Sequence, residues 1–258
     1  MIILGIDIGG SGMKAAPVNV ATGQLADDRH RIDTPKPATP KAMARVVKKL
    51  VRAFDYQGPV GVAFPARIKR GVALTATNIH KRWLGTNGEA LFAEAAGGPV
   101  RLLNDADAAG VAEMAFGAGK GRDGVVLMLT FGTGIGSGLF MDGMLVPNTE
   151  FGHFELDGRN AERYCADSAR RRKDLSWEEW AGRVQRYLDR VEFLIHPDVI
   201  ILGGGVSRPR KLRRYIHLLK TQADLVPAQL QNEAGIIGAA VAAKSLLSAG
   251  DTIHAEAG

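Results

Sequence analysis

One cysteine, Cys165, is the only thiol in this chain of 258 residues. An intramolecular disulfide is therefore impossible, as is a zinc site built on several cysteines. The expected role of Cys165 is that of a small buried filler rather than a reactive thiol. Long apolar runs are also missing. No stretch approaches the roughly 20 residues that a membrane-spanning helix needs. The opening Met1-Ile2-Ile3-Leu4-Gly5 has neither a basic segment nor a long hydrophobic one before Asp7, unlike a secretory signal. The chain is expected in the cytoplasm, without a membrane partner. The GxxxxGK[ST] loop of P-loop nucleotide enzymes is absent as well.

Hydrophobic residues make up 46% of the chain and charged residues 23%, enough for a core under a soluble surface. The length suits one large domain or two small lobes. A net charge of +6 and a pI of about 9.5 favour a polyanionic partner such as nucleic acid, acidic membrane or a long phosphate chain, or serve solubility alone. Ile2 to Ile8 reads as a buried strand, Gly9 to Gly12 as a turn, and Met13 to Val18 as the returning strand. Thr34 to Pro40 is an extended loop; Thr39 and Pro40 then start a helix with Met43, Val46, Val47, Leu50 and Val51 on one face. Strands are expected at Val60 to Phe64, Val100 to Leu103, Val125 to Thr130 and Val199 to Leu202. Helices are expected at Ala106 to Phe116, Leu175 to Ile195 and Gly235 to Leu247. The alternation is that of an α/β protein. The strand, glycine turn and returning strand of Asp7 to Lys14 recur at Thr130 to Gly138, so two similar lobes would each present one such turn.

Five constellations carry chemistry. In Asp7-Ile8-Gly9-Gly10-Ser11-Gly12-Met13-Lys14, glycines let backbone N–H groups approach phosphate oxygens, Lys14 adds a charge, and Asp7 could reach a phosphate-bound Mg2+ through water. The same glycines could instead only supply positive φ to a tight hairpin. No helix opens there, so this is not a dinucleotide fingerprint. The second, Thr130-Phe131-Gly132-Thr133-Gly134-Ile135-Gly136-Ser137-Gly138, favours a phosphate cradle, since alternating glycines weaken a merely structural strand. The third, Asn104-Asp105, places a carboxylate at a strand's carboxyl end, either as a general base or as a helix cap. The fourth, Glu150-Phe151-Gly152-His153 with Glu162, offers convergent partners for a sugar, although a lone histidine is more often a satisfied core residue. The fifth, Gly203-Gly204-Gly205 with Val206-Ser207 and the Asn232 region, is either a turn or a surface under a nucleotide.

Taken in order, Asp7 to Lys14, Asn104-Asp105, Gly132 to Gly138, Glu150-Phe151-Gly152-His153 and Leu202 to Ser207 resemble the ROK sugar kinases, over nearly the whole chain from Ile2 to Lys244. Within that family the chain is most similar to the polyphosphate glucokinases, through Thr34 to Pro40, Ala63-Phe64-Pro65, Asn78 to Thr86 and Ala106 to Gly110. The resemblance implies an actin-like, ribonuclease H-like ATPase fold with two lobes around a central cleft. Residues 1–108, completed by a helix at 235–258, would form the small lobe, and 109–234 the large one. It implies phosphoryl transfer from inorganic polyphosphate, with ATP or GTP as a possible second donor, to the 6-hydroxyl of glucose. Asp105 would be the catalytic base. Asn78, Asn104, Asp105, Glu150, His153 and Glu162 would hold glucose. Asp7, Gly9, Gly10, Ser11, Gly12, Lys14, Gly132, Thr133 and Gly134 would hold phosphates, and Gly203, Gly204 and Gly205 the nucleotide or donor. Asp7 would reach Mg2+ through a water. A homodimer without a nucleic-acid partner is expected.

Two positions depart from the family pattern. Only Cys165 stands where many members carry a zinc-binding cysteine cluster, so no zinc is expected. Ala66 stands where glycine is expected. Lys14, Lys69, Arg70, Lys81, Arg82, Arg208, Arg210 and Lys211 could line a track for polyphosphate, whereas Arg170-Arg171-Arg172-Lys173 reads as a solvated face. The rival readings are an ATP-dependent kinase for glucose or another hexose, and a non-catalytic sugar-sensing regulator. The regulators carry a DNA-binding segment before the first strand, which here starts at Ile2.

Overall fold

The computed structural model describes residues 1–77 and 79–247; Asn78 and the end of the helix expected at 235–258 lie outside them. The chain divides into two compact units. One is Met1–Phe116 with the segment from Asn232 on, and the other is Gly117–Gln231.

The first unit opens with β1 (Ile2–Ile8), whose residues Ile3, Leu4, Ile6 and Ile8 are buried. It turns into β2 (Gly12–Asn19), which also pairs with β3 (Gln24–Leu25) and β4 (His30–Asp33). Helix α1 (Pro40–Ala53) starts as expected: the Thr39 hydroxyl accepts from the Ala42 N–H at 3.3 Å, and the expected stripe from Met43 to Val51 is buried. Strand β5 (Val60–Phe64) follows, then the small hairpin β6 (Ile68–Lys69) and β7 (Val72–Ala73). Helix α2 (Gly88–Ala96) is capped by Asn87 and stopped by Gly97 at φ 74°. Strand β8 (Val100–Asn104) runs straight into α3 (Asp105–Phe116). The sheet order is β3-β2-β1-β5-β8, with β4 beside β2. Strands β1, β5 and β8 are parallel, so their carboxyl ends, bearing Asp7, Phe64 and Asn104, share one edge. Phe64, Trp83 and Phe92 pack together in the core, with ring centroids 4.5 to 6.1 Å apart.

The second unit repeats that plan. Strand β9 (Val125–Phe131) pairs antiparallel with β10 (Ile135–Met141), and β10 with β11 (Met144–Val146). A small hairpin, β12 (Glu155–Leu156) and β13 (Arg159–Asn160), leads to the short helices α4 (Ala161–Cys165) and α5 (Asp167–Arg172). Helix α6 (Trp177–Ile195) begins in a reciprocal cap: Ser176 accepts from the Glu179 N–H at 3.1 Å, and Glu179 from the Ser176 N–H at 2.8 Å. Strand β14 (Val199–Gly203), helix α7 (Pro209–Leu212) and strand β15 (Asp224–Pro227) complete the unit. Its order, β11-β10-β9-β14-β15, is again a meander followed by two parallel strands. Phe131, Trp180, Tyr187 and Tyr215 form its aromatic core.

The last described helix, α8 (Ala234–Ala243), belongs to the first unit. It has no polar stripe and is buried on nearly all sides, as an all-apolar helix must be. Gly5 and Gly61 are register partners on β1 and β5. A side chain on either would strike the α8 backbone, at the carbonyls of Ile236 and Ala239. Gly238 returns the contact against the Ala108 carbonyl of α3. This packing keeps α3 whole within the first unit, so the division falls at Phe116/Gly117 and Gln231/Asn232 rather than at 108/109 and 234/235.

Candidate active site

In the first unit, Asp7 and Lys14 face each other across the β1–β2 register, Nζ to Oδ2 3.8 Å. Burial pushes the Asp7 carboxyl above its usual value, and the Lys14 ammonium pulls it back only in part. Between them, the Gly9 N–H donates to the Gly12 carbonyl at 3.0 Å. Thr34 braces the turn: its hydroxyl donates to the Gly9 carbonyl at 2.6 Å and its N–H to the Ser11 carbonyl at 3.4 Å. Arg31 adds a donor to the Ser11 carbonyl at 3.1 Å.

None of Gly9, Gly10 and Gly12 has a positive φ, so the turn does not need glycine for its backbone angles. Gly12 leaves room for the Arg31 guanidinium, which a Cβ would meet at 2.6 Å. Gly10 is different. A Cβ there would meet nothing within 4 Å, and the residue is exposed. Neither strain nor packing within the chain accounts for Gly10. What the missing side chain preserves is bare backbone facing open space, which is what an anion needs.

At the same sheet edge, β8 delivers Asn104 and Asp105. Asn104 is the helix cap: its Oδ1 accepts from the N–H groups of Ala106 at 2.8 Å and Asp107 at 3.2 Å. Its Nδ2 donates to the Ala66 carbonyl at 3.2 Å. Ala66, in the position expected for glycine, is thus buried and tied to Asn104. Asp105 occupies the first helical position and is exposed. Asn104 is the cap; Asp105, although exposed, also accepts from the Ala106 N–H through Oδ1 at 2.9 Å, so both members of the pair help to start α3.

In the second unit, the turn between β9 and β10 is shorter than expected. It spans Gly132 to Gly134, and Gly136 and Gly138 lie inside β10, paired with Thr130 and Met128. Gly132 has no positive φ and open space in front of its Cα, just as Gly10 does. Gly134 leaves room for the Glu162 carboxylate, which a Cβ there would push aside. That carboxylate accepts from the Ile135 N–H at 3.0 Å. The Glu162 N–H donates to the Gly152 carbonyl at 2.8 Å, which joins Glu162 to the Glu150–His153 turn. His153 Nδ1 lies 3.1 Å from Glu150 Oε2. The histidine side chain is 51% exposed, so it is no core residue. Its contact with Glu150 orients the ring and leaves Nε2 as the second polar atom. Gly132, Thr133, Gly134, Glu150, His153 and Glu162 are thereby brought together.

Strand β14 ends beside β9, with Gly203 opposite Thr130. Gly203 is closed in by Met128, and Gly204, at φ 79°, lies against the Phe131 backbone. Both glycines thus have reasons inside the chain, and the turn reading accounts for them. Only Gly205 fronts open space, with Lys211 Nζ the nearest group at 3.9 Å from a Cβ placed there.

Sequence reasoning passed over Thr34, Arg31, Asp167 and Ser168. Ser168 donates its N–H to the Gly132 carbonyl at 3.0 Å and its hydroxyl to the Thr133 carbonyl at 2.6 Å. The bond from Ser168 to Thr133 spans 35 residues, so no local pattern announces it. Arg170-Arg171-Arg172-Lys173 is not simply a solvated face. Arg170 is largely buried, bound to Asp167 at 3.0 Å and stacked over Trp177 at 4.2 Å. Cys165 is buried, and burial pushes its thiol up to about 12, fitting the filler role. Among the described residues, no group of three or more His, Cys, Asp or Glu is placed to hold a metal ion. Among them, no helix is long and apolar enough to cross a membrane.

A family model described as ROK family matches residues 3–170. A polyphosphate glucokinase of Mycobacterium tuberculosis (strain CDC 1551 / Oshkosh) is 48% identical over 251 residues, covering 97% of this chain and 92% of its own. The crystal structure of an inorganic polyphosphate/ATP-glucomannokinase from Arthrobacter sp. strain KM superposes with a TM-score of 0.89 at 45% identity, over 95% of this chain and 99% of its own. A glucokinase from Streptomyces griseus, solved with glucose and AMPPNP, shares the fold at a TM-score of 0.75 and 24% identity, over 95% of this chain and 100% of its own. The fold is the actin-like, ribonuclease H-like ATPase fold, here built from two meander-plus-parallel-pair sheets.

Proposed function

The chain belongs to the ROK family, and from that premise we infer that it is a polyphosphate-dependent glucokinase. The observation that carries this is similarity along almost the full length, at 48% and 45% identity, to two enzymes whose names specify polyphosphate and a hexose. In the reaction, the glucose 6-hydroxyl oxygen bonds to the terminal phosphorus, the bridging P–O bond breaks, and polyphosphate leaves one unit shorter.

Phosphoryl transfer asks mainly for positioning and charge neutralisation. The open backbone at Gly10 and Gly132 supports assigning the two turns, with Ser11, Thr133 and Lys14, to the donor's phosphates. Asp105, exposed at the end of β8, is the group we assign to take the hydroxyl proton. Asn104 positions that segment through its cap. Glu150, His153 and Glu162 are assigned to the sugar hydroxyls, and the bond between Glu150 and His153 supports this by fixing the ring. Asn78 is carried as a sugar ligand on the family resemblance alone.

Asp7 suits a water-mediated contact to Mg2+: it is a carboxylate at the phosphate turn, and hard oxygen donors are what that ion prefers. When bound, Mg2+ would neutralise charge on the donor phosphates. ATP is assigned as a second donor. The family resemblance supports a cytoplasmic homodimer.

The test offers polyphosphate, ATP and GTP separately with glucose and Mg2+. Formation of glucose 6-phosphate from polyphosphate is expected, and its absence alongside turnover of ATP would replace this reading with an ordinary nucleotide-dependent kinase.

A further inference from the structure

Asp167 is a buried carboxylate, 4% exposed, whose role the reaction does not require. Three cations surround it. Arg170 Nε lies 3.0 Å from Oδ1, while Arg171 Nε and Lys211 Nζ lie 3.4 and 3.7 Å from Oδ2. One negative charge against three positive leaves a surplus of two. Arg170 is used up structurally: its side chain is 17% exposed, it stacks over Trp177, and its Nη1 donates to the Leu175 carbonyl at 3.4 Å. Arg171 and Lys211 are not. Their side chains are 61% and 37% exposed, with hydrogen-bonding capacity left for solvent or a ligand.

The position of the cluster is what gives it meaning. Ser168, the next residue after Asp167, holds the carbonyls of Gly132 and Thr133. Lys211 Nζ is the nearest group to the open side of Gly205. The surplus charge therefore stands where the two glycine-rich turns of this unit meet. A stabilising ion pair needs one cation. Two more, anchored on one buried carboxylate, repel each other until an anion arrives.

We propose that Arg171 and Lys211, held in place by Asp167, form a seat for an internal phosphate of the polyphosphate donor, upstream of the terminal phosphate at Gly132–Gly134. This rests on the reading of polyphosphate as donor and adds a binding site to it. Asp167 is a positioning residue here, acting through the two cations.

The test measures binding of long-chain polyphosphate by titration calorimetry at several salt concentrations, separately from turnover. The variants are Arg171→Gln, Lys211→Gln, their combination, and Lys211→Arg. Lys48→Gln, an exposed position on α1, controls for net charge. Each phosphate-neutralising cation contributes about 0.7 to the logarithmic salt slope of a single-stranded polyanion, by analogy with nucleic acid. Loss of one should then weaken binding about fourfold at about 0.15 M salt, and loss of both about fifteenfold, with the slope shallower by about 0.7 and 1.4. Lys211→Arg should restore most of the affinity, Lys48→Gln should match wild type, and the Michaelis constant for glucose should not move.

If both Gln variants keep the wild-type affinity and slope, or lose no more than Lys48→Gln does, the seat is overturned, whatever donor the enzyme turns over. If the wild type does not bind polyphosphate, the seat falls together with the donor reading. If the variants lose binding while the wild type fails to transfer phosphate from polyphosphate, the seat stands and the donor reading alone fails.

Discussion

Gly132→Ala separates a glycine kept for a ligand from one kept for the fold. Gly132 has an ordinary φ, and an added Cβ would touch nothing within 4 Å. The folded chain therefore accepts alanine, and the loss of unfolded-state freedom favours it by about 0.4–1 kcal/mol. The unfolding midpoint should stay within about 4 °C of wild type. The donor meets a different surface. A methyl about 1.5 Å from Cα occupies the space through which a phosphate oxygen would come within about 2.9 Å of a backbone N–H. Displacing the reacting phosphorus by about 1 Å costs on the order of 10²-fold in rate, or about 2.7 kcal/mol of transition-state stabilisation. Gly134→Ala, two residues away, should behave in the opposite way. Its methyl pushes aside the Glu162 carboxylate and the bond that it accepts from the Ile135 N–H, so it should destabilise by about 0.5–1.5 kcal/mol. The assay is paired: thermal unfolding, and kcat/KM for polyphosphate at saturating glucose. A Gly132→Ala enzyme turning over polyphosphate within a few-fold of wild type would refute the claim that this space belongs to the donor. So would one that unfolds as readily as Gly134→Ala.

Asp105→Asn should bind glucose nearly as wild type does by calorimetry, while turnover falls about 10² to 10⁴-fold; near-normal turnover would remove Asp105 from the role of base. Chelating Mg2+ should stop transfer and zinc-selective chelators should not, a pattern read by glucose 6-phosphate release; retained activity without Mg2+ would rule out the metal assignment. Burial raises the Asp7 carboxyl above its ordinary 3.8, so the neutral form is favoured on folding. That contribution is full below about pH 4 and is lost as pH rises through the folded value. Asp7→Asn should therefore unfold at a higher temperature than wild type at pH 7.5, with the gap closing near pH 4, although activity is lost; a less stable variant at pH 7.5 would contradict the sign.

The strands and the two hairpin turns were legible because they rest on local pattern. Ile2 to Ile8 is apolar except for Gly5 and Asp7, Val199 to Leu202 is an unbroken apolar run, and the Thr39-Pro40 start of α1 is local capping chemistry. The position of Asp105, just past a strand end, was legible for the same reason. The roles of individual glycines were not. Gly10, Gly12, Gly132 and Gly134 look alike in sequence, yet two front open space, one seats Arg31 and one seats Glu162. Those partners are distant in the chain, and only the fold supplies them. The extent of the second turn was misjudged because Gly136 and Gly138 suggest a loop, whereas pairing with β9 holds them in a strand. Arg170 reads as solvated from the run of charges alone; Asp167 lies one turn away on α5, but Trp177, which its guanidinium stacks over, arrives only through the α5–α6 turn.

The glycine seats on β1 and β5 also set an order of events during synthesis. The first unit's sheet is complete once β8 has left the ribosome, but the helix that fills the Gly5–Gly61 groove is encoded after the whole second unit. At about 5–20 residues per second, synthesis from Asn104 to Ala243 leaves that groove unfilled for about 7 to 28 seconds. Throughout this interval the first unit cannot close its core. The unit that carries Asp7 and Asp105 therefore cannot become native before α8 is made, and Gly235 at the start of that helix comes to rest directly against Asp7.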